Sequence, residues 1–137
     1  MSRYIRKVNY YETDKMGITH HSNYIRFMEE ARMSFLDGVG YPLKRLENEG
    51  IMSPVVSVSC DYKRPTTYGD EILIEVSAKE YSGVKLILSY IMTNTANGDT
   101  VAVASSTHCF IDQNGRPIAL KKKAPELDEI FKSHIGK

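Results

Sequence analysis

The chain has 137 residues, with 18 Lys and Arg against 17 Asp and Glu, so its formal net charge is +1. A chain of this length makes one domain that can bury a core without disulfides or metals. The near-neutral charge removes the simplest argument for a nucleic-acid or anionic-membrane partner, and no apolar run approaches the ~18–20 residues of a membrane helix. We therefore expect a single cytoplasmic domain over residues 1–137, with Cys60 and Cys109 as reduced, buried thiols.

The first part of the chain predicts a strand followed by a long helix. Residues 3–11 are predicted to form the strand. From Tyr24 onwards, apolar residues recur at helical spacing, which places them on one face of a helix. Ser22 or Asn23 can cap the start of this helix, and the glycines at positions 38 and 40 can end it. The predicted buried face holds Tyr24, Phe27, Met28, Ala31 and Phe35.

The rest of the chain predicts strands and a closing helix. After a short helix within residues 42–50, the hydrophobic period falls to two residues over four successive runs. Glycine-containing turns separate these runs, which favours antiparallel hairpins and predicts a four-strand antiparallel meander. Pro125 can begin a last helix. This order indicates an α+β protein in which a curved antiparallel sheet wraps around one long central helix.

Residues 12–23 hold the side chains best suited to chemistry. An acid, Asp14, a glycine, Gly17, and two histidines, His20 and His21, precede the start of the predicted helix. A helix start presents unpaired N–H groups and a partial positive charge, which together stabilise an oxyanion. A carboxylate beside such groups suits acyl transfer. From these residues alone, the alternative is that Asp14 caps a turn and the histidines are solvated.

The segment Tyr10–Tyr24 resembles the signature of the 4-hydroxybenzoyl-CoA thioesterase family, including its YbgC-like acyl-CoA thioesterases. The shared pattern is Tyr-x-Glu-Thr-Asp-x-x-Gly-x-x-x-His-x-Asn-Tyr, and residues 27–32 and 62–72 are similar to the family as well. The resemblance implies the hot-dog fold and hydrolysis of an acyl-CoA thioester without a cofactor or metal. It also implies a homodimer or homotetramer with sites at the subunit interface.

The resemblance assigns roles to individual residues. Asp14 matches the catalytic carboxylate, acting as general base on water or as nucleophile, and His21 matches the histidine near the helix start. His20 and Ser22 depart from the family pattern, which leaves open which histidine faces the substrate. The residues expected to bind substrate are Tyr10, Gly17, Ser22, Asn23, Tyr24 and Arg64.

Other readings of these residues remain open. Glu29 or Glu30 could supply the acid, although pairing with Arg26 or Arg32 at helical spacing is expected instead. A hydratase is disfavoured because the chain lacks its Asp-x-Asn-Pro-x-His pattern. A non-catalytic acyl-thioester-binding protein and a thioesterase acting on acyl-carrier-protein are the remaining alternatives.

Metal binding and the CoA phosphates involve further residues. The histidines at positions 20, 21 and 108 lack the spacing of a metal site, so no metal is expected. The CoA phosphates should attract basic side chains to the mouth of the site, with Arg64 as the first candidate. The other candidates are Lys63, Lys85, Arg116 and residues 121–123.

Overall fold

The computed structural model describes residues 1–137 and contains a five-stranded antiparallel sheet with four helices. The predicted α+β class is confirmed, because the longest helix packs on one face of this sheet. None of the helices is long and apolar enough to cross a lipid bilayer. The elements in chain order are β1 (Ser2–Lys7), α1 (Ser22–Gly38), α2 (Leu43–Asn48), β2 (Val55–Tyr62), β3 (Glu71–Tyr81), β4 (Lys85–Asn94), β5 (Thr100–Cys109), α3 (Leu120–Lys123) and α4 (Pro125–His134).

The strand order is β1-β3-β4-β5-β2, and every neighbouring pair is antiparallel. The predicted four-strand meander is therefore wrong in one connection, because β2 pairs with β5 and not with β3. Residues 63–70 carry the chain from β2, which pairs with β5, to β3, which pairs with β1. They begin where the N–H of Lys63 donates to the carbonyl of Val101 at 2.8 Å and end where the N–H of Val8 donates to the carbonyl of Asp70 at 2.8 Å.

The first strand is shorter than predicted. It ends at Lys7, and Tyr10–Glu12 form a single 3₁₀ turn. This turn folds the buried carboxylate of Glu12 back onto Arg6, whose two terminal nitrogens donate to it at 2.8 and 2.7 Å. The N–H of Asn9 donates to the same carboxylate at 2.8 Å. An extended chain would leave Glu12 in solvent, so this network ends the strand.

The long helix α1 buries the predicted face, but its capping differs from the prediction. All five residues of that face, from Tyr24 to Phe35, are buried. The helix begins at Ser22, with His21 in the N-cap position, and the side chain of His21 makes no capping hydrogen bond. The predicted capping by Ser22 or Asn23 is therefore wrong. The predicted end is confirmed, since Gly38 is the last helical residue and Gly40 turns the chain with φ of +81°.

The core lies between α1 and the inner faces of β3, β4 and β5, and α2 and α4 close it at one end. The last helix begins at Pro125, as predicted, and buries Leu127 and Phe131. Both cysteines are free thiols, as predicted, but the prediction that they are buried is wrong, because both are only half-buried.

The strand β2 forms an edge of the sheet that the rest of the chain leaves uncovered. Its pairing with buried residues of β5 places Val58, Cys60 and Tyr62 on the helix side of the sheet. Val58 and Tyr62 nevertheless remain 43% and 47% exposed. The start of α1 contacts Tyr62 through Tyr24, yet the helix leaves much of this apolar strip uncovered.

Candidate functional site

A cavity of about 490 Å³ opens at the N-terminal end of α1. The loop that precedes α1 forms one wall, and the end of β2 with the residues after it forms the other. The structure brings together four predicted site residues here: Asp14, His21, Tyr24 and Arg64. The complete lining is Asp14, Met16, Ile18, Thr19, His21, Tyr24, Tyr62, Lys63, Arg64 and Pro65.

Asp14 is half-buried, and its own loop orients it. Its Oδ1 accepts a hydrogen bond from the N–H of Met16 at 2.8 Å, and its carbonyl accepts one from the N–H of Gly17 at 2.9 Å. Gly17 has φ of +81°, a conformation that favours glycine. The Oδ2 atom of Asp14 makes no hydrogen bond within the chain, and no cation forms an ion pair with this carboxylate. Oδ2 is therefore free to contact water or substrate.

The start of α1 offers one unpaired backbone donor. The N–H groups of Ser22 and Asn23 both donate to His20, to its Nδ1 at 3.2 Å and to its carbonyl at 3.0 Å respectively. The N–H of Tyr24 donates to the carbonyl of His21 at 3.2 Å. Only the N–H of His21 has no acceptor, so a single amide is available to stabilise an oxyanion.

The two adjacent histidines have different surroundings. The ring of His20 is held by a 2.8 Å hydrogen bond between its Nδ1 and the hydroxyl of Ser22. The ring of His21 stacks on that of His20, with centroids 4.3 Å apart, and meets Tyr62 edge-on at 6.1 Å. Since His21 lines the cavity and His20 does not, His21 is the histidine that shares the cavity with Asp14.

Two tyrosines give the cavity a rigid aromatic wall. The rings of Tyr24 and Tyr62 meet edge-on with centroids 5.3 Å apart. The Tyr24 hydroxyl is 2.8 Å from that of Thr66, which in turn is 2.7 Å from the hydroxyl of Thr19. Burial raises the pKa of both tyrosines, so both phenols are neutral at pH 7.

Four of the predicted substrate-binding residues do not line this cavity. Tyr10 is 76% exposed, with its ring against another exposed tyrosine. Gly17 shapes the Asp14 loop, and Ser22 and Asn23 hold the start of α1 through their hydrogen bonds. These four residues therefore contribute to the site through the conformation of the backbone around it.

Tyr62 lines the cavity although it was not predicted as a site residue. The Tyr62 hydroxyl donates to the carbonyl of His21 at 3.2 Å, so it joins the end of β2 to the start of α1. One signal was available, because Tyr62 opens the 62–72 stretch that resembles the family. Met16 and Ile18, which add apolar surface to the lining, carried no comparable signal.

The rim of the cavity carries positive charge. Lys63 and Arg64 both line it, both are exposed, and neither forms an ion pair. The other basic residues predicted for CoA phosphates are absent from this lining. No group of three or more His, Cys, Asp or Glu side chains is placed to hold a metal ion.

The two alternative acids on α1 lie away from this cavity. Glu30 accepts hydrogen bonds from the hydroxyl of Tyr4 and from Nε of Arg6, both at 2.8 Å. The predicted pairing of Glu30 with Arg26 or Arg32 is therefore wrong, because Arg6 reaches it from β1. Glu29 is exposed, forms no ion pair and borders a different cavity.

Comparison with known proteins identifies the family to which the chain belongs. Residues 8–135 match the model of the Thioesterase-like superfamily. A Bacillus subtilis protein named "Putative acyl-CoA thioesterase YneP" is 32% identical over 91% of this chain and 91% of its own length. The long-chain acyl-CoA thioesterase FadM of Escherichia coli is 28% identical over 92% of this chain and 96% of its own.

Solved structures agree as well. The crystal structure of a DHNA-CoA thioesterase from Staphylococcus aureus superposes with a TM-score of 0.92 at 27% identity, covering 96% of this chain and 89% of that one. The chain therefore belongs to the thioesterase-like superfamily, has the hot-dog fold and is a thioester hydrolase.

Proposed function

We propose that this protein is an acyl-CoA thioesterase of the 4-hydroxybenzoyl-CoA, YbgC-like type, which hydrolyses an acyl-CoA to the free acid and CoA. One observation carries the proposal. Asp14, whose Oδ2 is free, and His21, whose backbone N–H is unpaired, line the same cavity, together with Lys63 and Arg64. A base or nucleophile, an oxyanion donor and positive charge for phosphates are what thioester hydrolysis needs.

The reaction can follow two routes from this geometry. As a base, Asp14 takes a proton from water while the water oxygen attacks the thioester carbon. As a nucleophile, Asp14 attacks that carbon itself and forms an anhydride that water then hydrolyses. In both routes the carbonyl oxygen becomes an oxyanion that accepts a hydrogen bond from the N–H of His21. Collapse of the oxyanion breaks the C–S bond. In the base route, Asp14 returns its proton to the leaving CoA sulfur. In the nucleophilic route, this bond breaks as the anhydride forms, and the proton that the sulfur takes up is balanced by the one that water releases when it hydrolyses the anhydride.

The first test measures release of the CoA thiol over a panel of acetyl-, hexanoyl-, palmitoyl-, benzoyl- and hydroxybenzoyl-CoA. We expect turnover of at least one of these thioesters, with equal amounts of acid and thiol produced. Binding without release would contradict the proposal and favour a non-catalytic acyl-thioester-binding protein. If only acyl groups carried on acyl-carrier-protein were hydrolysed, the carrier in the substrate would be that protein and not CoA. Modification of the acyl group without thiol release would indicate a hydratase.

We further propose that the protein is a homodimer joined along β2. The free edge of β2 can pair antiparallel with that of a second copy, which extends five strands to ten. Such a pairing would cover the exposed apolar strip of Val58 and Tyr62, together with the exposed Met33 of α1. It also sets the N-terminal end of β2 beside the C-terminal end of the partner's β2. The cavity that contains Asp14 lies at the C-terminal end of β2, so this pairing brings it to the interface. In a tetramer, the exposed Ile91 and Val103 on the outer face would join two dimers.

Replacing Val58 with lysine is expected to yield monomers. A charged side chain in this strip opposes both edge pairing and apolar burial. Light scattering after size exclusion should report a multiple of the 15.5 kDa chain for the wild type and a single chain for Val58→Lys. The matched control is Val103→Lys, on the outer face, which should retain the dimer. A monomeric wild type, or an unchanged mass in Val58→Lys, would contradict the proposed interface.

A further inference from the structure

A second cavity, of about 410 Å³, lies beside the C-terminal half of α1. It shares no lining residue with the cavity that contains Asp14. Its walls are mostly apolar and come from α1, α2, β4, β5 and α4, with Met33, Leu36 and Leu88 among them. A cavity of this volume and lining is typical of a site for a small organic group.

Four polar residues interrupt this apolar lining: Glu29, Arg32, Ser53 and His108. A chain of hydrogen bonds connects Arg32 with His108. Nη1 of Arg32 donates to the hydroxyl of Tyr90 at 3.3 Å. The Tyr90 and Ser106 hydroxyls are 2.5 Å apart, and the Ser106 hydroxyl is 2.7 Å from Nε2 of His108. Tyr90, Ser106 and His108 are all buried.

The hydrogen-bond chain has a single direction. A guanidinium only donates, so the Tyr90 oxygen accepts from Arg32, and the Ser106 hydroxyl is then the one acceptor that the structure offers to the Tyr90 proton. Ser106 then gives its only proton to Nε2 of His108, which leaves the ring proton on Nδ1. Burial and the charge of Arg32 lower the pKa of His108 to about 4, so the ring is neutral at pH 7. Nδ1 has no acceptor within the chain.

Arg32 and His108 therefore contribute hydrogen-bond donors to the lining of this cavity. Arg32 adds a positive charge that no carboxylate pairs with, and Glu29, the one acidic lining residue, is exposed at the cavity mouth. An apolar cavity with a cationic donor and a neutral donor is complementary to an apolar group that carries an accepting oxygen, because charge-assisted hydrogen bonds are the strong ones.

The position of the cavity relates it to the proposed reaction. Ser53, Pro54 and Val55 line it at the N-terminal end of β2, whereas Tyr62 lines the Asp14 cavity at the C-terminal end. Antiparallel pairing of β2 with a second copy sets these two ends side by side. The second cavity of one protomer then adjoins the Asp14 cavity of its partner.

We infer that the second cavity receives the acyl group and that Arg32 and His108 select acyl groups with a phenolic or carboxylate oxygen at the end remote from the thioester. The inference rests on the proposed thioesterase function and on the proposed dimer. Plain alkyl and aryl groups would displace water from Arg32 and His108 without offering either of them an acceptor, which is costly.

The test compares matched substrates that differ only in the distal oxygen. The pairs are 4-hydroxybenzoyl-CoA with benzoyl-CoA, and suberoyl-CoA with octanoyl-CoA. We expect the wild type to favour the oxygen-bearing member of each pair by tenfold or more in kcat/KM. In Arg32→Met this ratio should fall by roughly 10- to 100-fold, because the variant loses a charged hydrogen bond. Arg26→Met, on an exposed position of the same helix, should keep the wild-type ratio.

Either of two outcomes would overturn the inference: a wild-type ratio near one in both pairs, or an unchanged ratio in Arg32→Met. If Arg32→Met fails to fold, Arg32→Gln replaces it, because glutamine removes the charge from a side chain of similar length. Calorimetric titration with the same four acyl-CoAs measures binding separately from hydrolysis, so a failure of the inference can be distinguished from a failure of the proposed function. Absence of hydrolysis would contradict the thioesterase, whereas equal binding of the two members of each pair would contradict the selection by Arg32 and His108.

Discussion

Replacing Asp14 with asparagine is expected to lower kcat for acyl-CoA hydrolysis by about 10²- to 10⁴-fold, the usual contribution of a positioned base. Asparagine has the same shape, and its side-chain oxygen can still accept the 2.8 Å hydrogen bond from the N–H of Met16. The loop should therefore keep its conformation while Oδ2 is lost as a base or nucleophile. Initial rates of CoA thiol release at saturating substrate measure the effect.

A matched control separates this effect from a general change of charge. Asp37 is an exposed carboxylate at the far end of α1, and Asp37→Asn should retain wild-type kcat. If Asp14→Asn also retained it, the acid would have to lie elsewhere, and Glu29 would be replaced next. Turnover in ¹⁸O-labelled water distinguishes the two routes, since label incorporated into Asp14 itself indicates an anhydride intermediate.

The helical part of this fold was predictable because a helical period states directly which residues share a face. Tyr24 and Phe35 lie eleven residues apart and are both buried, as the spacing predicts. The sheet order was not predictable in the same way. A period of two residues assigns faces to a strand and says nothing of its neighbour, so the pairing of Val58 with Ser106 across β2 and β5 could not be read from either strand.

The same distinction applies to the site. Asp14 and His21 are close in sequence, so one short motif indicated both. Tyr62 reaches the carbonyl of His21 from 41 residues away, and only the crossing of the chain after β2 brings it there. The second cavity was beyond prediction because the hydrogen-bond chain of Arg32 and His108 joins side chains from α1, β4 and β5, which no sequence period connects.

Replacing Arg6 with methionine is expected to lower the free energy of unfolding by about 3–5 kcal/mol, the usual cost of removing one partner of a buried ion pair. The side chains of Arg6 and Glu12 are only 16% and 3% exposed, so this variant leaves the Glu12 carboxylate buried without its cation. Methionine can still pack against Phe27, over which the guanidinium lies at 4.8 Å. Chemical denaturation followed by circular dichroism measures the loss.

The control for Arg6 lies on the same strand. Arg3 approaches Glu75 at 3.6 Å with its side chain 72% exposed, so Arg3→Met should cost less than about 1 kcal/mol. Equal free energies of unfolding for Arg6→Met and Arg3→Met would mean that the buried pair of Arg6 and Glu12 adds nothing to the stability of the fold.

The pair of Arg6 and Glu12 also bears on catalysis, because the carbonyl of Glu12 accepts hydrogen bonds from the N–H of His20 at 2.8 Å and from the Asn23 side chain at 3.0 Å. Losing the anchor of Glu12 therefore loosens both ends of the loop that carries Asp14, and kcat should fall in Arg6→Met even where the protein remains folded.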